Sequence, residues 1–308
     1  MAFRPVEVFC RKAAMMVPRL QTPEQMTLRQ AVSAASDQLA HNPHLAPTAA
    51  RDAELLLLHA LRMPRSTIYA YPGRLLSEKE QLTYAAAIDR RLALEPVQYI
   101  TGTQEFFGLA LEVGPGVLIP RPETELLVEA ALTRLAHDRP LHVLDVGTGT
   151  GAIAIAVASR LPQAKIMALD LSAAALAIAR RNVCRHGLEH RIELVCSDLL
   201  GGLPAPAPRF DAILSNPPYV PTQDGAALHP QVRDYEPAEA LFAGVDGLEV
   251  YRRLIPQAKA ALVQRGLLAM EIGYGQRAAI EELLDGWLGV HFLHDLQGIP
   301  RAAIARNL

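Results

Sequence analysis

From about residue 122 onward, short apolar runs of β character alternate with stretches of helical character, and few folds accommodate that alternation. The runs are Leu141–Val146, Lys165–Leu169, Arg191–Cys196, Asp211–Leu214, Gly266–Ile272 and Val290–Leu296. Ala152–Arg160, Ser172–His186, Leu248–Gln264 and Gln276–Leu284 read as helices between them, with Ser172 as an N-cap. Short apolar strands separated by helices imply an α/β fold with a doubly wound, mostly parallel sheet covered on both faces. Ligands in such sheets bind beyond the C-terminal strand ends, where the topology switches.

The chain before this region follows different patterns. Over residues 27–95, Leu28, Val32, Leu39, Leu55 to Leu58, Leu61, Leu82, Ile88 and Leu92 recur at helical spacing. Pro43, Pro47, Pro64 and Pro72-Gly73 cut the segment into short helices, so a small helical domain is expected. Over residues 96–121, Val97, Tyr99, Ile100, Phe106, Phe107, Leu109, Leu111 and Val113 sit among Gly102, Gly108, Gly114 and Gly116, which suggests a β-hairpin linker. Residues 122–308 then form the larger domain. Residues 1–26 carry Arg4, Arg11, Lys12 and Arg19 without a continuous apolar core or a small-residue cleavage site; they read as a disordered extension, not a signal peptide.

Composition narrows the function. The net charge of the 308 residues is −2, and a free-standing nucleic-acid binder carries a strong basic excess. No stretch is apolar for the roughly 18 residues a membrane span needs. Cys10, Cys184 and Cys196 form no C-x-x-C pair, and an odd count does not suit a disulfide framework. They read as small buried hydrophobes of a reducing, cytoplasmic compartment. The ten histidines are scattered without H-E-x-x-H, so no metal site is expected.

The first strand of the α/β region runs into Asp145-Val146-Gly147-Thr148-Gly149-Thr150-Gly151-Ala152. Glycines there permit a tight turn and let a ligand approach the backbone. The next strand ends at Asp170, where a carboxylate can accept from both hydroxyls of an adenosine ribose. Gly147, Gly149 and Ala152 also satisfy the dinucleotide fingerprint G-x-G-x-x-A. Asp145 beside the loop would repel a pyrophosphate but suits the cationic methionine end of S-adenosylmethionine, which favours that cofactor. After the third strand, Asp198 can accept from an adenine amine and the Leu199 N–H can donate to a ring nitrogen.

The fourth strand ends in Ser215-Asn216-Pro217-Pro218-Tyr219. Two prolines fix the backbone and remove two N–H donors, leaving carbonyl acceptors without competitors. The Asn216 side-chain oxygen is a further acceptor. Acceptors converging on one point suit an –NH₂ group, and Tyr219 adds a flat face for a planar acceptor. An amide or aromatic amine is a poor nucleophile, so alignment and preorganised dipoles supply the rate. Asn216, Pro217 and Tyr219 are therefore the expected catalytic residues, and Asn216 to Tyr219 the substrate clamp.

With these motifs in place, the sequence resembles the bacterial release factor glutamine methyltransferases over nearly all of the chain beyond about residue 28. The resemblance rests on Arg51-Asp52-Ala53-Glu54, Glu95-Pro96-Val97-Gln98-Tyr99, Ile119-Pro120-Arg121-Pro122-Glu123-Thr124-Glu125, Glu236-Pro237, Gly244 to Leu248, Glu271-Ile272-Gly273 and Asp295-Leu296 with Gly298, besides the loop and the clamp. It implies a Rossmann-like methyltransferase domain. The implied reaction carries a methyl group from S-adenosylmethionine to the side-chain amide nitrogen, N5, of the glutamine in the Gly-Gly-Gln motif of class I peptide chain release factors. By the same resemblance Gly147, Thr148, Gly149, Thr150, Gly151, Asp170, Leu199 and Asn216 contact the cofactor, Asn216 to Tyr219 hold the glutamine, and the helical domain grips the release factor. Leu199 departs from relatives that carry an aromatic there. Arg121 is expected to pair with Glu123 or Glu125, or to touch protein backbone or the cofactor region; Phe106 and Phe107 either wall the pocket or pack the hairpin. A ribosomal-protein glutamine is a rival acceptor. So is a flipped adenine of DNA, which the near-neutral charge disfavours.

Overall fold

The computed structural model describes residues 25–203 and 209–308; the expected extension falls almost entirely, and Cys10 wholly, outside them. The helical part holds α1 (Leu28–Ala40), α2 (Ala49–Leu61), α3 (Ser66–Ala70), α4 (Glu78–Leu92) and α5 (Val97–Thr101). Thr27 and Ser77 start α1 and α4 with reciprocal capping boxes to Gln30 and Glu80. Leu28, Leu39, Leu45, Leu56, Leu57, Leu61, Tyr84 and Ile88 form its core. Leu82, expected on the apolar stripe, is exposed, because α4 turns Gln81, Tyr84, Ile88 and Arg91 inward instead.

The hairpin is shorter than the sequence suggests. Val97 and Ile100 lie on α5 and pack into the helical core, since Pro96 starts a helical turn and their spacing of three is helical. Only β1 (Thr103–Phe106) and β2 (Leu109–Glu112) pair, across the turn Phe107-Gly108. Phe106 packs in the core of the larger part and Phe107 lies under the Arg160 guanidinium, and neither lines the cavity at the carboxyl end of the sheet.

Helix α6 (Glu125–Arg134) opens the α/β part, followed by β3 (Leu141–Val146), α7 (Ala152–Arg160), β4 (Ala164–Asp170), α8 (Ala173–Arg185), β5 (Ile192–Cys196), β6 (Phe210–Ser215) and α9 (Pro230–Tyr235). Then come α10 (Glu249–Ala261), β7 (Leu262–Glu271), α11 (Arg277–Leu283), β8 (Leu288–His294) and β9 (Pro300–Arg306). The sheet order is β5-β4-β3-β6-β7-β9-β8, parallel except that β9 runs antiparallel between β7 and β8. This is the doubly wound, mostly parallel sheet expected from the alternation, in the Rossmann-like form that the resemblance implies. Ser172 caps α8 by accepting from the Ala175 N–H. One face of β3 (Leu141, Val143) packs with α6 and α7, the other (Leu144, Val146) with α10 and α11.

Three features depart from the sequence reading. Strand β9 lies beyond Val290–Leu296, the last run recognised in the sequence; its Ala302, Ala303 and Ala305 are small residues that fit a strand buried on both faces. Helix α10 stops at Ala261 and β7 begins at once, so Leu262–Gln264 are strand. Cys184 and Cys196 are exposed free thiols, not buried hydrophobes. Among the described residues no helix is long and apolar enough to cross a membrane, and no cluster of His, Cys, Asp or Glu could hold a metal ion.

A buried ion pair ties the helical part together. The Arg91 Nε donates to Asp52 Oδ2 at 2.8 Å, the Thr48 hydroxyl donates to the same oxygen at 2.9 Å, and Arg91 Nη1 donates to the Glu95 carbonyl. Both side chains are less than a tenth exposed. Removing one partner strands the other charge, so Asp52→Ala is expected to destabilise the helical part by about 3 kcal/mol. A lowered urea midpoint followed by helical circular dichroism checks it; an unchanged midpoint contradicts it.

Candidate active site

The site forms where the sheet changes winding direction. From β3 the chain moves outward through β4 and β5, then returns to place β6 on the other side of β3. Val146 and Ser215 are register partners, so the loop after β3 and the clamp after β6 leave the sheet side by side. The Ser215 hydroxyl donates to the Val146 carbonyl at 2.8 Å and locks the two ends together.

A cavity of about 440 Å³ opens above these ends. Among the residues expected from the sequence, Gly147, Gly149, Asp170, Leu199, Asn216 and Pro218 line it. Thr148, Thr150 and Gly151 do not. The Thr148 hydroxyl donates to Asp145 at 2.6 Å, the Thr150 carbonyl accepts from Asn182, and Gly151, at φ +83°, leads into α7. Pro217 and Tyr219 are not among the lining residues either.

Asp170 is fixed in the cavity lining. Its two carboxylate oxygens accept from the Gly149 and Ser172 N–H groups, each at 2.8 Å, which fixes the carboxylate and leaves lone pairs on both oxygens. Burial raises its pKa above the ordinary carboxylate range. The loop approaches the clamp closely: a Cβ on Gly147, at φ +73°, would stand 3.8 Å from the Asn216 carbonyl oxygen. That is ordinary contact, so it is the positive φ and not the space that favours glycine here.

Asp145 does not reach the cavity. It is fully buried beneath the loop, where Oδ2 accepts from Thr148 and from the Ala154 N–H, while Oδ1 has no partner among the described residues. Burial raises its pKa to about 7. Its place is under the loop as a brace, so the expected repulsion of a pyrophosphate is not a direct contact. At the far rim Asp198 pairs with Arg253 at 2.5 Å, and both line the cavity. Leu199 has φ +50°, and its carbonyl accepts from the Ser197 hydroxyl.

Behind the clamp lies a polar cluster the sequence did not disclose. The Asn216 Nδ2 donates to the Thr124 hydroxyl at 3.0 Å, the Thr124 hydroxyl donates to Glu271 Oε2 at 2.5 Å, and the Tyr219 hydroxyl donates to Glu271 Oε1 at 3.2 Å. Glu271 is buried at the end of β7, and burial lifts its pKa to about 7. Tyr219 is further fixed by its backbone: its N–H donates to the Leu241 carbonyl, and its carbonyl accepts from Gln276 Nε2 at 2.9 Å. Arg121 pairs with buried Glu236 rather than with its sequence neighbours, since the Glu125 carboxylate already accepts from the Phe107 N–H.

Two family models match the chain, the PrmC N-terminal domain over residues 30–102 and the methyltransferase small domain over residues 122–232. A release factor glutamine methyltransferase from Koribacter versatilis is 43% identical over 282 residues, covering 92% of this chain and 99% of that protein. One from Pseudomonas aeruginosa is 45% identical over 262 residues, covering 84% and 93% respectively. The chain belongs to the release factor glutamine methyltransferase family. A 16S rRNA methyltransferase from T. thermophilus, solved with AdoMet and guanosine, is similar with a TM-score of 0.51 at 20% identity, covering 67% of this chain and 50% of that one; that likeness is one of fold.

Two predictions follow from the geometry of this methyltransferase. A Cβ on Gly247, at φ +73°, would lie 2.3 Å from the Tyr219 carbonyl oxygen and 2.8 Å from Gln276. Gly247→Ala is therefore expected to displace the clamp and lower the methyl-transfer rate at least tenfold or so, leaving cofactor affinity nearly intact. Parallel kinetics and calorimetry check this, and an unimpaired rate contradicts it. The second concerns pH. Asp145 and Glu271 hold their protons up to about pH 7 in the folded chain but ionise in the ordinary carboxylate range when unfolded. Between those limits unfolding releases protons, so their burial makes the cofactor-free protein progressively less stable as pH rises from about 4 to about 7. Thermal unfolding across that window should show a shallower decline in Asp145→Asn than in the wild type.

Proposed function

We propose that the chain transfers a methyl group from S-adenosylmethionine to N5 of the glutamine in the Gly-Gly-Gln motif of class I peptide chain release factors, and that it works in the cytoplasm. The observation that carries this reading is that Gly147 and Gly149 of the glycine loop, Asp170, and Asn216 and Pro218 of the clamp line one cavity. Cofactor loop and acceptor clamp therefore face each other with no element between them.

The residues fit that cofactor. Asp170, with lone pairs free on both oxygens, would hold the ribose hydroxyls. Leu199 would meet the adenine edge, and the backbone at Gly147 and Gly149 would border the methionine end. When bound, S-adenosylmethionine supplies an electrophilic methyl group on a sulfonium.

The chain's own residues do the rest. The Asn216 Oδ1 and a backbone carbonyl of the clamp accept the two N–H bonds of the substrate amide, which aims the nitrogen lone pair along the line of attack. The same two oxygens stabilise positive charge as it develops on that nitrogen. Pro217 and Pro218 keep the clamp rigid, because neither φ can turn. Tyr219, anchored through Glu271 and Gln276, gives the clamp its aromatic end. No base has to remove a proton before attack.

Release factor, its Gly-Gly-Gln glutamine-to-alanine variant and large-subunit ribosomal proteins are each incubated with methyl-labelled cofactor. Label is expected in the release factor alone and is lost with the glutamine; label in a ribosomal protein instead overturns the choice of partner. Asn216→Ala is expected to lower kcat by about 100-fold, in the range seen when a transition-state hydrogen-bond partner is removed, and cofactor affinity far less. Equal loss in both would make Asn216 chiefly a cofactor ligand.

A further inference from the structure

A side-chain amide presents either an oxygen or an –NH₂ to a given direction, and the two look alike in shape. For Asn216 the choice decides function. Oxygen toward the cavity accepts a substrate N–H; –NH₂ toward the cavity repels it. The clamp itself does not fix this choice, since prolines constrain the backbone and not the Asn216 side chain.

We propose that Thr124 and Glu271 are positioning residues that set the orientation of the Asn216 amide, through a one-way chain of hydrogen bonds running from Asn216 Nδ2 to the Thr124 hydroxyl and on to the Glu271 carboxylate. The inference rests on the reading of Asn216 as the acceptor of the substrate amide N–H.

The direction follows from counting protons. An ionised carboxylate only accepts, so the single hydroxyl proton of Thr124 goes to Glu271 Oε2. Thr124 Oγ1 is then left as an acceptor, and only the –NH₂ of Asn216 can satisfy it. The oxygen of Asn216 is thereby turned away from Thr124. Tyr219 donates to the other Glu271 oxygen and helps hold the carboxylate in place.

Local structure does not otherwise require the Thr124 hydroxyl. Thr124 is the N-cap residue of α6, where a threonine ordinarily accepts from a backbone N–H of the first turn, yet it makes no such bond. Its hydroxyl is committed to Asn216 and Glu271, which are 92 and 147 residues away in sequence. Thr124 and Glu271 are both only 3% exposed, so water does not compete for these bonds.

The chain reverses when Glu271 takes up a proton. Thr124, Glu123, Tyr219, Tyr251 and Arg301 face this carboxyl from the elements packed around it; Glu123 favours the protonated form, and Arg301 and the two hydroxyl donors oppose it. A protonated Glu271 can donate to Thr124, and the freed Thr124 hydroxyl can then donate to the Asn216 oxygen. The –NH₂ of Asn216 would face the cavity, and turnover would fall.

The test compares wild type, Thr124→Val, Thr124→Ser and Glu271→Gln by kcat on release factor, cofactor affinity, melting temperature and pH profile. Thr124→Val keeps the shape and removes the hydroxyl; it is expected to lower kcat by about 30-fold, a typical scale for losing alignment at a reacting group, with cofactor affinity unchanged. Thr124→Ser restores kcat to within about threefold of wild type, because its hydroxyl makes the same two bonds. Wild-type kcat falls on acidification through about pH 7. Glu271→Gln can still accept from Thr124 but cannot titrate, and it lacks that part of the acid limb. The proposal is overturned by a folded Thr124→Val with near wild-type kcat, by equal damage in the valine and serine variants, or by an acid limb unchanged in Glu271→Gln. Exchange of the Asn216 side-chain amide protons provides a readout independent of substrate: one is slowed in wild type and fast in Thr124→Val. If wild type leaves release factor unlabelled while that difference persists, the substrate reading fails and the positioning chain stands; equal exchange sinks the chain itself.

Discussion

Everything at the site depends on β3 and β6 lying side by side, parallel and in register. Val146 opposite Ser215 means that two loops separated by about 70 residues of sequence leave the sheet as neighbours. A shift of one residue would also exchange the faces of each strand and drive Asp145 or Ser215 out of its hydrogen bonds. The register is held by the apolar residues of both faces, and the Ser215 hydroxyl on the Val146 carbonyl adds a bond at the point where the strands part. The cavity is thus a consequence of sheet topology: parallel winding in two directions from β3 leaves a crevice at its carboxyl end.

The carboxylates around that crevice differ in what burial does to them. Asp170 keeps lone pairs toward the cavity and is tethered by two backbone donors. Asp145 and Glu271 lie within the wall, lifted to about pH 7 by burial with few donors to offset it. A buried acid without a cation partner is costly to the fold, so neither is explained by stability. Asp145 braces the loop through Thr148 and Ala154, and Glu271 braces the clamp through Thr124 and Tyr219. Each motif that lines the cavity therefore has a buried acid behind it, and the geometry that stabilises a transition state is prepared before substrate arrives.

The sequence disclosed the motifs better than their supports. The α/β alternation, the glycine loop, Asp170 and the clamp are contiguous patterns whose periodicity or composition carries the signal, and the structure brings Gly147, Gly149, Asp170, Leu199, Asn216 and Pro218 to one cavity. The supports are single residues from distant segments. Nothing local in Arg121-Pro122-Glu123-Thr124 says that Arg121 will meet Glu236 or that Thr124 will meet Glu271. Asp145 was legible as an acid beside the loop, but a strand residue faces one side or the other, and only the packing of α7 shows that it points into the wall. Strand β9 lacks the run of large apolar residues that marked the other strands, because the space it fills in the sheet takes small side chains such as Ala302, Ala303 and Ala305.

The segment from Val220 to Gly247 connects these supports to the helical part. Its Leu241 carbonyl accepts from the N–H groups of Tyr219 and Val220, and its Gly247 leaves room for the Tyr219 carbonyl. The same segment reaches the other way. The Tyr235 hydroxyl donates to the Ala93 carbonyl at 2.6 Å, His229 meets the His44 carbonyl, and Glu236 accepts from the Ile119 N–H and from Arg121. The helices are thus joined to the back of the clamp through the hydrogen bonds of this segment rather than through the sheet. The placement of the helices relative to the back of the clamp is therefore set by a directly bonded segment, so a change at Tyr235 or His229 would alter the clamp's support without touching the sheet.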